Sequence, residues 1–466
     1  VLFEITWKNV LLFKCNKKQG GYISYFILRG AAILKATSIR TIKARQVYDS
    51  RANPTIEVDV ILENGTAGRG TVPSGASTGK YEALELRDNN PSRLGGKSVF
   101  KAISNVNEII APRLIGQDAL NQACIDNLLN EIDGTTNKSC LGANAMLGVS
   151  MATAWAAANA LNMPLYRYLG GSDARVIPVP MIQIIGGGIH ANQTIDIQDF
   201  MIIPVGAQTF AQAIEMTVNV YNGTKKVFAK LGKPVSVADE GGFWPTFASN
   251  TEGLDLLVAG IEQAGYTPGK DIAIALDVAS SHFYEDGKYC FKLEQKQMAA
   301  AEFAGILESW TTKYPIISIE DGMAEDDWSG WEVLSQRLKN KVQLVGDDLF
   351  VTNVSRIKKG LARGIGNSVL IKLNQIGTIT ETMEAITVTK SAGYLPVISA
   401  RSGETEDFTI VHLAIATNAG QLKVGSIART ERTVKWNEGL RIEEALGTAA
   451  IYPGRELFRR IIPAGV

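Results

Sequence analysis

The feature that most restricts the fold is a unit that recurs through the second half of the chain. A short apolar run ends in a charged residue, an amphipathic stretch follows, and the next apolar run begins. VSVADE (235–240), IAIALD (272–277), IISIED (316–321), VQLVGDD (342–348), VLIKLN (369–374), PVISAR (396–401) and QLKVGS (421–426) all follow this rule. Short apolar runs separated by helical segments predict parallel strands with crossover helices. With VPMIQII (179–185) they supply enough strands to close a TIM-like barrel. An open doubly wound sheet would carry a Gly-rich dinucleotide turn after its first strand, and no GxGxxG occurs.

The charged ends of these runs matter more than the runs themselves. Glu240, Asp277, Glu320 and Asp347 close four of them, and Lys372, Arg401 and Lys423 lie at the ends of the others. In a barrel, the C-terminal strand ends open into one mouth, where active sites form. Rim salt bridges are the plain alternative. So many charges in one mouth favour a catalytic site, because unpaired buried charge is costly. Asp277, Glu320 and Asp347 come from successive strands and repel one another unless a cation sits between them. Ligation by oxygen alone favours Mg2+ over zinc. A lysine beside such an ion has its pKa lowered and can act as a neutral base.

Upstream, TIKARQVYDSR and TIEVDVILENG read as strands, and GANAMLGVSMATAWAAANAL (142–161) as a buried, Ala-rich helix. The polar break GGSDARVIP (170–178) separates two domains. The expected class is therefore α/β: a smaller α+β domain over 38–169, then a modified (β/α)8 barrel over 178–466. Residues 1–37 are basic and aromatic without a clear period, and are expected to lie outside the fold, with the functional protein beginning near Leu34. Lys8, Lys14, Lys17 and Lys18 interrupt any apolar core a secretory signal would need.

Lys plus Arg (47) equals Asp plus Glu (47), so no basic field points to nucleic acid, and any bound anion must be held by a local cluster of cations. No run of about 18 apolar residues predicts a membrane span. Cys15, Cys124, Cys140 and Cys290 lack metal-site spacing and read as reduced thiols of a cytoplasmic protein. GGKS (95–98) is not a nucleotide loop, because Pro91 stands where its first glycine belongs. SGASTG (74–79) is small enough to close over a phosphate, or to ligate a second metal through Ser77. GGGIH (186–190) places His190 at a strand end.

DSRANPT, VPSGASTG, ADEGG, IALD, SIEDG, GDDLFVTN, IKLNQIGT, RSGETED and RIEEALG occur in this order, and with them the chain resembles the enolases, bacterial ones more closely than animal ones. The resemblance implies a homodimer or higher oligomer working in glycolysis in the cytoplasm, with an additional cell-surface or secreted pool. It implies a phosphorylated acid as substrate, 2-phosphoglycerate, dehydrated to phosphoenolpyruvate. Lys372 would be the base at C2, and Glu240 the acid that helps the C3 hydroxyl leave. Asp277, Glu320 and Asp347 would hold one Mg2+, which stabilises the charge developing on the carboxylate, as the handling of enediolates in this superfamily requires. A second Mg2+ would bridge Ser77 and the phosphate. Arg401 and Ser402 would grip the phosphate and Lys423 the carboxylate, with His190, Gln198 and Asp199 lining the pocket.

Three positions depart from the family. Ala52 stands where a glycine is expected, a change without consequence unless the backbone there needs positive φ. Asp199 replaces a glutamate, and Ala400 replaces a histidine beside the substrate. The last two predict a wider pocket and slow turnover of 2-phosphoglycerate. They leave open a paralogue acting on a related phosphonate, in the manner of carboxyphosphonoenolpyruvate synthase, and a surface-binding homologue without turnover.

Overall fold

The computed structural model describes residues 36–462 except Ser77, Asn192 and Arg460. The expected N-terminal extension thus lies outside the described residues as far as residue 35. Ala36 and Thr37 belong to the fold: the Ala36 carbonyl accepts from the Asn64 N–H, and the Thr37 hydroxyl donates to Asp118 at 2.8 Å.

The smaller domain is a three-stranded antiparallel sheet, β1 (Ile39–Tyr48), β2 (Pro54–Leu62) and β3 (Ala67–Thr71), carrying a helical layer that includes α1 (Gln122–Asp133) and α2 (Ala143–Ala160). Helix α2 is buried along almost its whole length, as its composition predicts. It lies directly on β3 because that strand alternates in glycine. A Cβ on Gly68 would come within 2.1 Å of the Ala156 nitrogen, and one on Gly70 within 2.7 Å of the Met151 Cβ.

The second domain is a closed barrel of β4 (Val179–Gly186), β5 (Asp199–Ile203), β6 (Ala273–Asp277), β7 (Ile316–Glu320), β8 (Gln343–Gly346), β9 (Ser368–Ile371), β10 (Leu395–Ser399) and β11 (Gln421–Gly425). Seven of the eight expected apolar runs are strands here. VSVADE is not: Val235 and Val237 are exposed, and the segment is a loop with one isolated bridge, Val237 to Phe243. The missing strand is β5, which pairs antiparallel with both β4 and β6. The chain therefore begins the barrel as two strands followed by two helices, α3 (Phe210–Lys230) and α4 (Asn250–Gln263), before regular strand–helix alternation sets in. FMII before Pro204 was the available signal for β5: a short apolar run, buried throughout, but with its acid at the start and not at the end.

Several helices around the barrel start at side-chain caps of the usual kind. Thr209 accepts from the Gln212 N–H, Ser249 from Glu252, and Thr378 from Glu381. The small domain docks on the barrel mouth through its Gly/Ser loop. Ser74 and Gly403 exchange both backbone hydrogen bonds, at 2.8 and 2.9 Å.

Candidate active site

The reversed direction of β5 decides which of its residues reaches the mouth. In the parallel strands the last residue does; in β5 it is the first, Asp199, set opposite Gly186 and Asp277 in the two ladders. Glu320 is likewise in register with Asp277. These residues surround a small cavity of about 30 Å³ lined by Gln198, Asp199, Glu240, Asp277, Asp347, Lys372, Ala400, Arg401, Ser402 and Lys423, among others. Of the residues singled out in the sequence, these all converge. Glu320 sits just behind the lining, fully buried. Ser77 lies outside the described residues. His190 falls in the turn Gly188–Ala191, and its side chain is also outside them.

Lys423 is the hub. Its ammonium donates to Asp277 Oδ2 at 2.8 Å and Glu320 Oε2 at 2.7 Å, and stands 3.6 Å from Asp199 Oδ2. Burial disfavours its charge, but these carboxylates outweigh burial and hold its pKa well above the usual lysine value. Burial pushes Glu320 well above the ordinary carboxylate range, and the Asp277 charge pushes the same way. At Asp277 itself burial is overcome by Lys423, and the pKa is lowered. Asp199 is pushed up to about 8 by burial and by the neighbouring Glu240.

Lys372 donates to Asp347 Oδ2 at 2.5 Å, while Gln375 donates to the other Asp347 oxygen at 2.7 Å. Burial lowers the Lys372 pKa, yet the Asp347 and Glu320 carboxylates together outweigh it, and the net shift is upward. Asp347 is oriented from below by Asp321, which accepts from the backbone N–H groups of Asp347 and Asp348 at 2.9 and 2.8 Å. The loops leaving β6, β7 and β8 each hold a non-glycine residue at positive φ: Ala279 (46°), Asp321 (42°) and Val351 (43°). Such strain persists only where surrounding structure over-determines it, and it gathers at functional sites.

Arg401 reaches Glu82 of the smaller domain with both terminal nitrogens, at 2.9 and 3.2 Å, and donates to Asn374. The Ser402 hydroxyl accepts from the Ala76 N–H at 2.7 Å, tying the Gly/Ser loop to the end of β10. Glu240 arrives differently from the other acids, on a loop and not at a strand end. Its carbonyl accepts from the Ser426 N–H at 2.9 Å, and Gly425 (φ 100°) leaves only 3.1 Å between an added Cβ and the Glu240 Cβ.

Two of the three departures take on a definite meaning. Ala52 adopts φ 58°, the conformation a glycine would hold without strain. Asp199 leaves no gap, because Gln183 donates to its Oδ1 at 2.5 Å. Ala400 lines the cavity with its methyl group.

The donor set fits a hard divalent cation. Buried carboxylates outnumber the buried ammonium and guanidinium groups around the cavity, and Glu320 Oε1 has no hydrogen-bond partner among the described residues. All ligand atoms on offer are oxygens, as such an ion requires. Asp321, Asp347 and Asp348 also place carboxylate oxygens within 4.8 Å of one another. Sequence reasoning overlooked Asp321 and Asp348, although each directly follows an acid it had picked. It also overlooked Glu82 and Arg432, which carry no local signal. Arg432 is fully buried and donates to the Arg401, Ser402 and Val424 carbonyls, bracing the strand ends that hold Arg401.

The comparisons with known proteins agree with this geometry. A family model described as the enolase C-terminal TIM barrel domain matches residues 174–461, and one for the enolase N-terminal domain matches residues 39–169. A curated relative, Enolase 1 of Desulfitobacterium hafniense (strain Y51), is 62% identical over 428 residues, covering 91% of this chain and 98% of the relative. Among the described residues, no helix is long and apolar enough to cross a membrane. With both domains matched along most of their length and the charged mouth in place, the chain belongs to the enolase family.

Proposed function

We propose a division of labour among these residues for the enolase reaction, the reversible dehydration of 2-phospho-D-glycerate to phosphoenolpyruvate in glycolysis. The observation that carries it is one cavity lined by an amine, Lys372, and a carboxyl group, Glu240, with Arg401 and Lys423 beside them. Lys372 in its neutral form takes the C2 proton. Arg401 and Lys423 both disfavour the charged form of Lys372, while Asp347 favours it. Glu240 gives a proton to the C3 hydroxyl, which departs as water while the C2–H electron pair forms the C2–C3 double bond. Splitting proton removal and proton donation between two positioned groups is the usual economy of acid–base catalysis. Asp277, Glu320 and Asp347 would hold the Mg2+ ion, which would supply positive charge beside the substrate carboxylate. Arg401, Ser402 and Lys423 hold the anionic ends of the substrate. The setting is the cytoplasm, and the assembly a homodimer or larger.

The test separates the two proton transfers. Lys372→Ala is expected to stop exchange of the C2 proton with solvent, a loss of about 10²- to 10⁴-fold, while Mg2+ binding persists. Glu240→Gln should block water loss yet keep C2 exchange. Exchange at the normal rate in Lys372→Ala would refute the base assignment.

A further inference from the structure

Glu240 sits on a turn, and a turn must be held if its carboxylate is to be held. The segment Ala238–Phe243 is fastened to β4 by two backbone bonds, Phe243 N–H to the Ile184 carbonyl and Gly186 N–H to the Phe243 carbonyl, both 2.8 Å. Those bonds grip the end of the turn beyond Glu240. Its middle is held from several sides: the Glu240 carbonyl accepts from the Ser426 N–H at 2.9 Å, the Tyr221 hydroxyl donates to the Gly241 carbonyl at 3.2 Å, and the completely buried Gln183 reaches Gly242. The Gln183 Oε1 accepts from the Gly242 N–H at 2.8 Å, and its Nε2 donates to Asp199 Oδ1 at 2.5 Å. The amide cannot rotate without losing both bonds, since one end must accept and the other donate. It has no room to shift either. A Cβ on Gly242 would meet Gln183 Oε1 at 2.6 Å, and one on Gly186 would meet Nε2 at 3.3 Å.

We infer that Gln183 is a positioning residue for Glu240, and that it forms a matched pair with Asp199: the longer amide reaches the shorter carboxylate, and their combined length sets the turn. The inference rests on the proposed role of Glu240 as the acid. It accounts for the pocket departure at Asp199 without a widened site. Adding one carbon at position 199 would drive the carboxylate about 1.5 Å toward an amide already in hydrogen-bond contact. Removing one carbon at 183 would leave the Gly242 N–H and the Asp199 carboxylate without their shared partner. Doing both keeps the combined length constant.

The experiment uses the full chain with Mg2+ and 2-phosphoglycerate, following phosphoenolpyruvate by its ultraviolet absorbance. Gln183→Asn and Asp199→Glu are each expected to lower kcat by roughly 10- to 10²-fold, the cost of misplacing a reacting group by about 1 Å. KM should stay within about two-fold, because the groups proposed to grip the substrate remain. The double variant should recover most of the lost kcat, which a merely structural role for either residue would not produce. Gln183→Glu has the same shape but no N–H for Asp199; it covers the case in which Gln183→Asn does not fold, and its kcat should fall as far. Wild-type kcat in Gln183→Asn or Gln183→Glu would overturn the inference, as would losses that simply multiply in the double variant. Glu240→Gln, run alongside, tells the two failures apart. If it retains turnover, the acid assignment has failed. If it is inactive while the Gln183 variants are normal, only the pairing has failed.

Discussion

The mouth and the floor of the barrel are built on the same strands, two residues apart, yet they obey opposite rules. On the floor, Met181, Met201, Ala275, Val345 and Leu370 belong to one buried apolar cluster with Val179, Ile203 and Val397. One step of two residues along each strand reaches Gln183, Asp199, Asp277, Asp347 and Lys372 in the mouth. The period of a strand is two, so these residues share the inward face with those below them. In β5 the step runs backwards, because that strand is antiparallel. The floor is close-packed side chain against side chain; the mouth is held by charges that neutralise one another. What differs is the consequence of removing one group. A missing methylene on the floor leaves a void, whereas a missing cation in the mouth leaves carboxylates buried without a partner.

The largest effect expected from that contrast is at Lys423. Lys423→Met deprives Asp277 and Glu320 of their common partner and should cost about 3–5 kcal/mol of stability in chemical denaturation without Mg2+, as well as activity. A stability equal to wild type would mean that the mouth charges do not depend on one another. On the floor, Ile203→Ala, at the far end of the strand that carries Asp199, should cost about 2–5 kcal/mol while kcat at a permissive temperature is unchanged. A large fall in kcat there would show that floor and mouth are mechanically coupled. Ala400→His, which adds an imidazole to the cavity lining, is expected to raise kcat on 2-phosphoglycerate by about 10²-fold, the effect of restoring a donor near the reacting atoms. No gain, with wild-type turnover already that of an ordinary enolase, would dispose of the paralogue reading. The smallest effect lies away from both regions: Ala52→Gly should stabilise by about 1 kcal/mol, the order of the left-handed backbone penalty for a residue with a Cβ, seen as a rise in Tm with unaltered kinetics.

Much of this mouth was legible in the chain because its residues close apolar runs of recognisable length. Asp277, Glu320, Asp347 and Lys423 each end or nearly end a run that reads as a buried strand, and strand ends in such a barrel have one destination. Glu240 was found by the same pattern for the wrong reason, since VSVADE is a loop. Apolar alternation over so few residues does not distinguish a strand from a segment that crosses the surface. β5 escaped notice because it breaks the rule the other runs share: its acid, Asp199, precedes the apolar residues, and no crossover helix separates it from β4.

What the amino-acid sequence determines by itself is the inventory and its order: a chain rich in short apolar runs, each handing over to a charge, with glycines at close contacts such as Gly68 and Gly70. Local propensity and burial are properties of neighbours along the chain, so they can be read there. Only the tertiary structure decides which direction β5 runs, that Lys423 and not Lys372 joins Asp277 to Glu320, and that Gln183 closes the space at Asp199. Those contacts join residues 16 to 146 positions apart. They depend on barrel closure and on distances of a few tenths of an ångström, which no pattern along the chain encodes.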